Sequence, residues 1–126
     1  MTSHLSKIIR RQNSMNSQIK EEEAPSPISH YATSKLSMEY MARTYLDRLP
    51  IFITRPFNYT GPGQDLSFVI PKIVKHFADK EPFIELGNLD VEREFNGVSF
   101  VVEAYLRLLD NAEIGHVYNI CSGNAF

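Results

Sequence analysis

The 126 residues are 43% hydrophobic and 22% charged, a balance that fits one globular domain and argues against a disordered chain. The formal net charge of -2 offers a polyanion nothing, so nucleic acid is not an expected partner, and no apolar run approaches the ~20 residues that span a bilayer. The lone cysteine, Cys121, excludes an internal disulfide; it reads as a small apolar residue of the run "VYNIC" and suits a reducing, cytoplasmic setting.

The first twenty residues contain no acid and lack the apolar core of a secretory signal; their Arg and Ser content resembles an organelle transit peptide only weakly. "EEEAPSP" reads as a solvated loop. Ser29, just after Pro27, is a good N-cap for a helix in which Ala32, Leu36, Met41 and Tyr45 recur at roughly helical spacing, ending near "DRLP". "IFITRPF" has strand length and composition, and "NYTGPGQ" is a loop. "SFVIPKIVKHFADK" predicts a helix with Pro71 in its first turn, where the missing N–H costs little. "PFIEL" predicts a strand, "GNLD" a turn, "REF" a brief extended piece, "GVSFVVEAYLRLLDNA" a helix and "GHVYNIC" a buried strand. Strands alternating with helices give an α/β fold with a largely parallel sheet.

In such a sheet ligands gather at the carboxyl ends of strands, where "NYTGPGQ" lies. Its Gly61 and Gly63 lack the third glycine of a phosphate-cradling fingerprint, so a turn is the better reading. The stretch "HYATSKLSMEY" places Tyr31 four residues before Lys35, on one helix face. A free phenol is a poor base at neutral pH, but an ammonium one turn away favours the phenolate, as does the positive end of a helix. The pair would then pass a proton to or from a hydroxyl or carbonyl. The lysine's three donors could also hold ribose hydroxyls. This spacing also arises by chance on helices, and alone it does not decide between the two.

"HYATSKLSMEYMA", "ITRPFNYTGPGQ", "FVIPKIV", "LGNLDVEREF" and "VYNICSG" stand in an order and at spacings that resemble the extended short-chain dehydrogenase/reductase family, the NAD-dependent epimerases and dehydratases. Within it the chain is most similar to the branch of GDP-mannose 4,6-dehydratase and GDP-4-keto-6-deoxymannose reductase. The resemblance implies the C-terminal part of a Rossmann-type parallel sheet with part of a small substrate-binding subdomain over residues 25–126, preceded by a non-matching segment, 1–24. It implies NAD or NADP as cofactor and a GDP-sugar as substrate.

By the same resemblance, Tyr31 is the general acid/base, and Lys35 assists it and holds the nicotinamide ribose. Pro56, Phe57 and Asn58 meet the nicotinamide end, and Asn58 also faces the sugar diphosphate; as a plain residue it is equally a turn former. Val69 and Lys72 line the nucleotide pocket, Lys72 toward the phosphates, against the alternative of an exposed helical lysine. Arg93 grips the diphosphate through its planar guanidinium. Gly87, Asn88, Leu89 and Asp90 form the turn beside the base. The helix over 31–49 implies a homodimer contact. Arg55, His30 and His76 receive no function.

Three departures from the pattern stand out. No glycine-rich turn precedes Tyr31, relatives usually carry acids where this chain has Gly97 and Phe100, and it ends at "CSGNAF". The expectation is an N-terminally truncated copy with an open hydrophobic edge beside "IFITRPF". Its function is then either dehydration or 4-keto reduction at hexose C4, with epimerisation less favoured, or weak nucleotide-sugar binding and pairing with a full-length relative.

Overall fold

The computed structural model describes residues 19–87 and 93–124. Its elements are helix α1 (His30–Arg43), strands β1 (Ile53–Pro56) and β2 (Tyr59–Thr60), helix α2 (Val69–Asp79), strand β3 (Asn96–Gly97), helix α3 (Val98–Asn111) and strand β4 (Val117–Ile120). β1 pairs with β4 in parallel, Ile53 opposite Val117 and Pro56 opposite Ile120. β2 pairs with β3, also in parallel. Parallel neighbours need a long crossover, and here helices lie between β1 and its partner. The α/β arrangement with parallel pairing expected from the sequence is therefore present.

α1 starts where the sequence predicts: the Ser29 hydroxyl oxygen accepts from the Ala32 N–H at 3.1 Å, meeting one of the donors a helix start leaves unpaired. The helix ends at Arg43, short of the expected stop near residue 49. After it the Tyr45, Leu46 and Arg48 amides donate to carbonyls three residues back, a tighter winding that ends the α-helical ladder. The Thr44 hydroxyl also donates to the Met41 carbonyl at 2.7 Å.

α2 carries Pro71 in its first turn, as predicted. It closes at Lys80, left-handed at φ 55, whose N–H reaches the carbonyls of His76 and Phe77. "PFIEL" is not a strand. Phe83 is 88% exposed, and the Glu85 carbonyl accepts from Lys72 Nζ. A β-branched, aromatic run forms a strand only beside a backbone that takes its hydrogen bonds, and among the described residues no strand stands there. Conversely, Tyr59 and Thr60, expected as loop, make a two-residue pairing with Asn96 and Gly97.

Among the described residues the buried hydrophobics are Ala32, Val101 and Ile120, while Glu39, Arg55, Glu94 and Asn96 are buried polar groups. Polar clamps thus join the segments as much as apolar packing does. The outer surface exposes Phe77, Phe83 and Leu109 at 74%, 88% and 71%. No helix of the described residues is long and apolar enough to cross a membrane.

Candidate functional site

Tyr31 is the second residue of α1, within its first turn. Lys35 sits one turn further, its Nζ 5.6 Å from the centre of the Tyr31 ring, and both side chains are half-buried. The spacing read from the sequence is thus realised as a contact. The neighbouring hydroxyls of Thr33 and Ser34 donate to the carbonyls of Ser29 and Tyr31, at 3.1 Å and 2.8 Å.

The end of β1 supplies the second wall. Ala32, fully buried, packs with Leu36, Phe57 and Ile19, so the helix turn that carries Tyr31 rests on the residue following β1. The Phe57 N–H donates to the Ile120 carbonyl at 3.0 Å, extending the β1–β4 ladder into this loop. Asn58 leans the other way: its Nδ2 donates to the Glu94 carbonyl at 3.1 Å, and its carbonyl accepts from the Asn96 N–H at 2.9 Å. One amide hydrogen of Asn58 is therefore committed to the chain itself.

Glu94, buried at 7% exposure, ties this loop together. Its Oε1 accepts from Asn96 Nδ2 at 2.7 Å and from the Ser122 N–H. Its neighbour Arg93 is half-buried. Val69 opens α2, and Lys72 one turn later holds the Glu85 carbonyl, two residues before the exposed Gly87. Through Ala32 the turn that carries Tyr31 thus meets Phe57, the residue after β1, while Asn58 bonds the carbonyl of Glu94, the residue after Arg93. Asn88, Leu89 and Asp90 lie outside the described residues.

Sequence reasoning passed over Glu39, Glu94 and Arg55. The Glu39 carboxylate accepts from Arg55 Nε at 3.1 Å and 3.2 Å and from Nη2 at 2.8 Å, with both side chains at most 5% exposed. An arginine inside the apolar run "IFITRPF" and a glutamate one turn past Lys35 were the signal, since a charge at a core-facing position demands a partner. A cavity of about 200 Å³ lies behind this pair, lined by Glu21, Leu36, Glu39, Tyr40, Arg43 and Arg55. At the end of β4, burial first and then the carboxylates of Glu94 and Glu21 push the Cys121 thiol above its ordinary range, which suits a packing residue. Among the described residues no cluster of three or more His, Cys, Asp or Glu could hold a metal.

Parallel strand pairs joined through helices are the layout of an α/β fold whose ligands gather at the carboxyl ends of strands. A family model described as the NAD dependent epimerase/dehydratase family matches residues 10–121, and the chain belongs to that family. It is 41% identical over 112 residues to GDP-6-deoxy-D-mannose reductase of Pseudomonas aeruginosa, covering 83% of this chain and 37% of that protein. It is 38% identical over 105 residues to GDP-6-deoxy-D-talose 4-dehydrogenase of Aggregatibacter actinomycetemcomitans, covering 83% and 36%. The solved structure of RMD from Pseudomonas aeruginosa complexed with NADPH matches with a TM-score of 0.85 at 35% identity, over 95% of this chain and 43% of that one. The chain therefore spans little more than a third of these two curated relatives, and its strands and helices are part of the family's α/β, Rossmann-type fold.

Proposed function

We propose that this chain carries the proton-transfer and part of the substrate-holding machinery of an NAD(P)-dependent sugar-nucleotide oxidoreductase acting at hexose C4, with a GDP-sugar of the mannose series as substrate. The observation that carries the reading is the Tyr31–Lys35 contact at the α1 N-terminus, 5.6 Å from Nζ to ring centre, seated on Phe57 through Ala32. The named relatives, a GDP-6-deoxymannose reductase and a GDP-6-deoxytalose dehydrogenase, support the GDP-sugar class.

The donor set fits a nicotinamide riboside: a phenol and an ammonium with three donors, on a helix turn whose Ala32 packs on Phe57 of the loop Pro56, Phe57 and Asn58. Bound NAD(P) would supply the hydride acceptor or donor. In the oxidising direction Tyr31 takes the proton of the C4 hydroxyl as C4 loses hydride and becomes a carbonyl. In the reducing direction it returns a proton to that oxygen as hydride reaches C4. Lys35 holds the ribose hydroxyls and balances the phenolate. Asn58 faces the sugar diphosphate, Arg93 grips the diphosphate, and Val69, Lys72 and Gly87 border the nucleotide. Reduction of a 4-keto-6-deoxy sugar needs only these steps. Dehydration also needs an acid and a base for loss of water across C5–C6; the likeness to a GDP-6-deoxy-D-mannose reductase, 41% identical over 112 residues, supports reduction as the favoured reading.

The test is NADPH oxidation by the purified chain with GDP-4-keto-6-deoxymannose, followed by nicotinamide absorbance. Turnover that vanishes in Tyr31→Phe supports the reading; turnover unchanged in that variant overturns it.

A second reading draws on a different observation, the exposure of Phe77, Phe83 and Leu109. Apolar area on this scale marks a surface that pairs with protein. In that reading the chain binds a sugar nucleotide weakly and associates with another chain of the family, or with itself along α1. Binding of GDP-mannose without any NADPH turnover would select it.

A further inference from the structure

The structure points to a positioning device for the Tyr31–Lys35 pair: we propose that the buried Glu39–Arg55 ion pair sets the register of α1 on β1, and with it the placement of Tyr31 relative to the loop of Pro56, Phe57 and Asn58. This rests on the oxidoreductase reading only for its catalytic consequence.

Two contacts among the described residues tie α1 to β1 and the residue after it. Ala32 packs on Phe57, and Glu39 takes three contacts of 2.8–3.2 Å from Arg55. On the helix these anchors are seven residues apart, two turns on one face and about 10.5 Å along the axis. On the extended backbone they are two residues apart, on one face and about 6.6 Å. Helix and strand run in opposite directions between them, and the long Arg and Glu side chains take up the difference in length. The apolar anchor alone is non-directional and lets the helix slide or roll. The second anchor is a carboxylate gripped by a planar fork, which fixes angle as well as distance. Its rotation is closed off from behind as well, because Arg55 Nη1 reaches the Glu21 carbonyl at 3.5 Å. Glu21 is itself held to β4 by the Asn119 N–H at 2.8 Å, and Asn119 is the residue opposite Arg55.

Lys35 stands one turn before Glu39 and Tyr31 two turns before it. A roll of the helix about its Ala32 contact therefore moves phenol and ammonium together. A buried ion pair adds little net stability over well-packed apolar residues of similar volume, so its retention here is better explained by orientation than by energy.

The test uses the full chain and two variants, Glu39→Gln and the apolar double variant Glu39→Leu with Arg55→Met. Thermal melts and NMR spectra are recorded without ligand, following the Tyr31 ring and the Asn58 amide. The expected result is a double variant that melts at or above the wild-type temperature, in which both signals shift or split while the Ala32–Phe57 contact persists. Should the double variant not fold, Glu39→Gln is read by the same signals. Unchanged Tyr31 and Asn58 signals in either folded variant overturn the proposal. Loss of cooperative folding in both also overturns it, since the pair would then be a stability element. The wild-type assay separates the two claims: without turnover the oxidoreductase reading fails and the spectra still decide the clamp. With turnover, kcat is expected to fall by about a hundredfold at little-changed KM, the size of effect a misplacement near 1 Å produces; an unchanged kcat overturns the clamp alone.

Discussion

Tyr31 and Lys35 form a contact only because a helix puts them one turn apart, and that local rule was readable without a structure. Tyr31→Phe keeps the ring and removes the proton, so it should lower turnover by about 10²–10⁴-fold with an unchanged melt; activity at the wild-type level would remove Tyr31 from the chemistry. Cys121 offers a pH test of a different group. Burial and the carboxylates of Glu94 and Glu21 raise its thiol, so its folded state favours the protonated form. Any stability it contributes is therefore present below the ordinary thiol range and lost as pH rises through the raised one. Alkylation by iodoacetamide should be slower than for a free thiol at mildly alkaline pH and should rise as pH climbs further; a free-thiol rate would show the residue is open. Gly61 is constrained by approach: a Cβ there would lie 2.6 Å from Val98 Cγ1. Gly61→Ala should cost about 1–3 kcal/mol, with part regained in Gly61→Ala/Val98→Ala, as denaturant melts would show. These residues differ in legibility. The Tyr–Lys spacing is local, whereas the Gly61–Val98 approach and the Glu39–Arg55 pair join distant segments that one sequence cannot pair.

At the scale of elements, start signals carried more information than stop signals. Ser29 was readable as the N-cap of α1 because its hydroxyl meets an N–H three residues on, a purely local bond. The end of α1 was not, since the sequence after Arg43 keeps helical composition and only the tightened turn of 44–48 breaks the ladder. "PFIEL" failed for a related reason: strand composition was present and a strand partner was not. Gly97 caps α3 without a side-chain bond at φ -69 and ψ 144, a conformation open to any residue. Its added Cβ would meet only Ser99 Oγ, at 3.5 Å. Gly97→Asp should therefore stabilise the chain by a few tenths of a kcal/mol through the cap bond and the helix dipole. A lowered melting temperature in that variant would mean that the β2–β3 pairing needs glycine at this point.

At the scale of the whole molecule, composition promised a core that the described residues do not assemble, with three buried hydrophobics against four buried polar groups. A chain 43% hydrophobic must then present apolar side chains outward, and it does so on α1, α2 and α3. Sedimentation at rising concentration should reveal association; a strictly monomeric chain at every concentration would contradict a pairing role for this surface. The family was readable because its motifs are short and ordered. The way the faces are covered depends on surfaces that motifs do not describe.

The central claim is that Tyr31, Lys35 and the loop after β1 make a site for NAD(P) and a GDP-sugar. The most direct measurement is a thermal melt of the purified chain alone, with NADPH, with GDP-mannose, with both, and with UDP-glucose as control. A ligand present at about a hundred times its Kd stabilises the folded state by about 2.7 kcal/mol. One cooperative transition is expected, raised by NADPH and GDP-mannose and not by UDP-glucose, with the NADPH shift lost in Lys35→Ala. A melt indifferent to every ligand would contradict it.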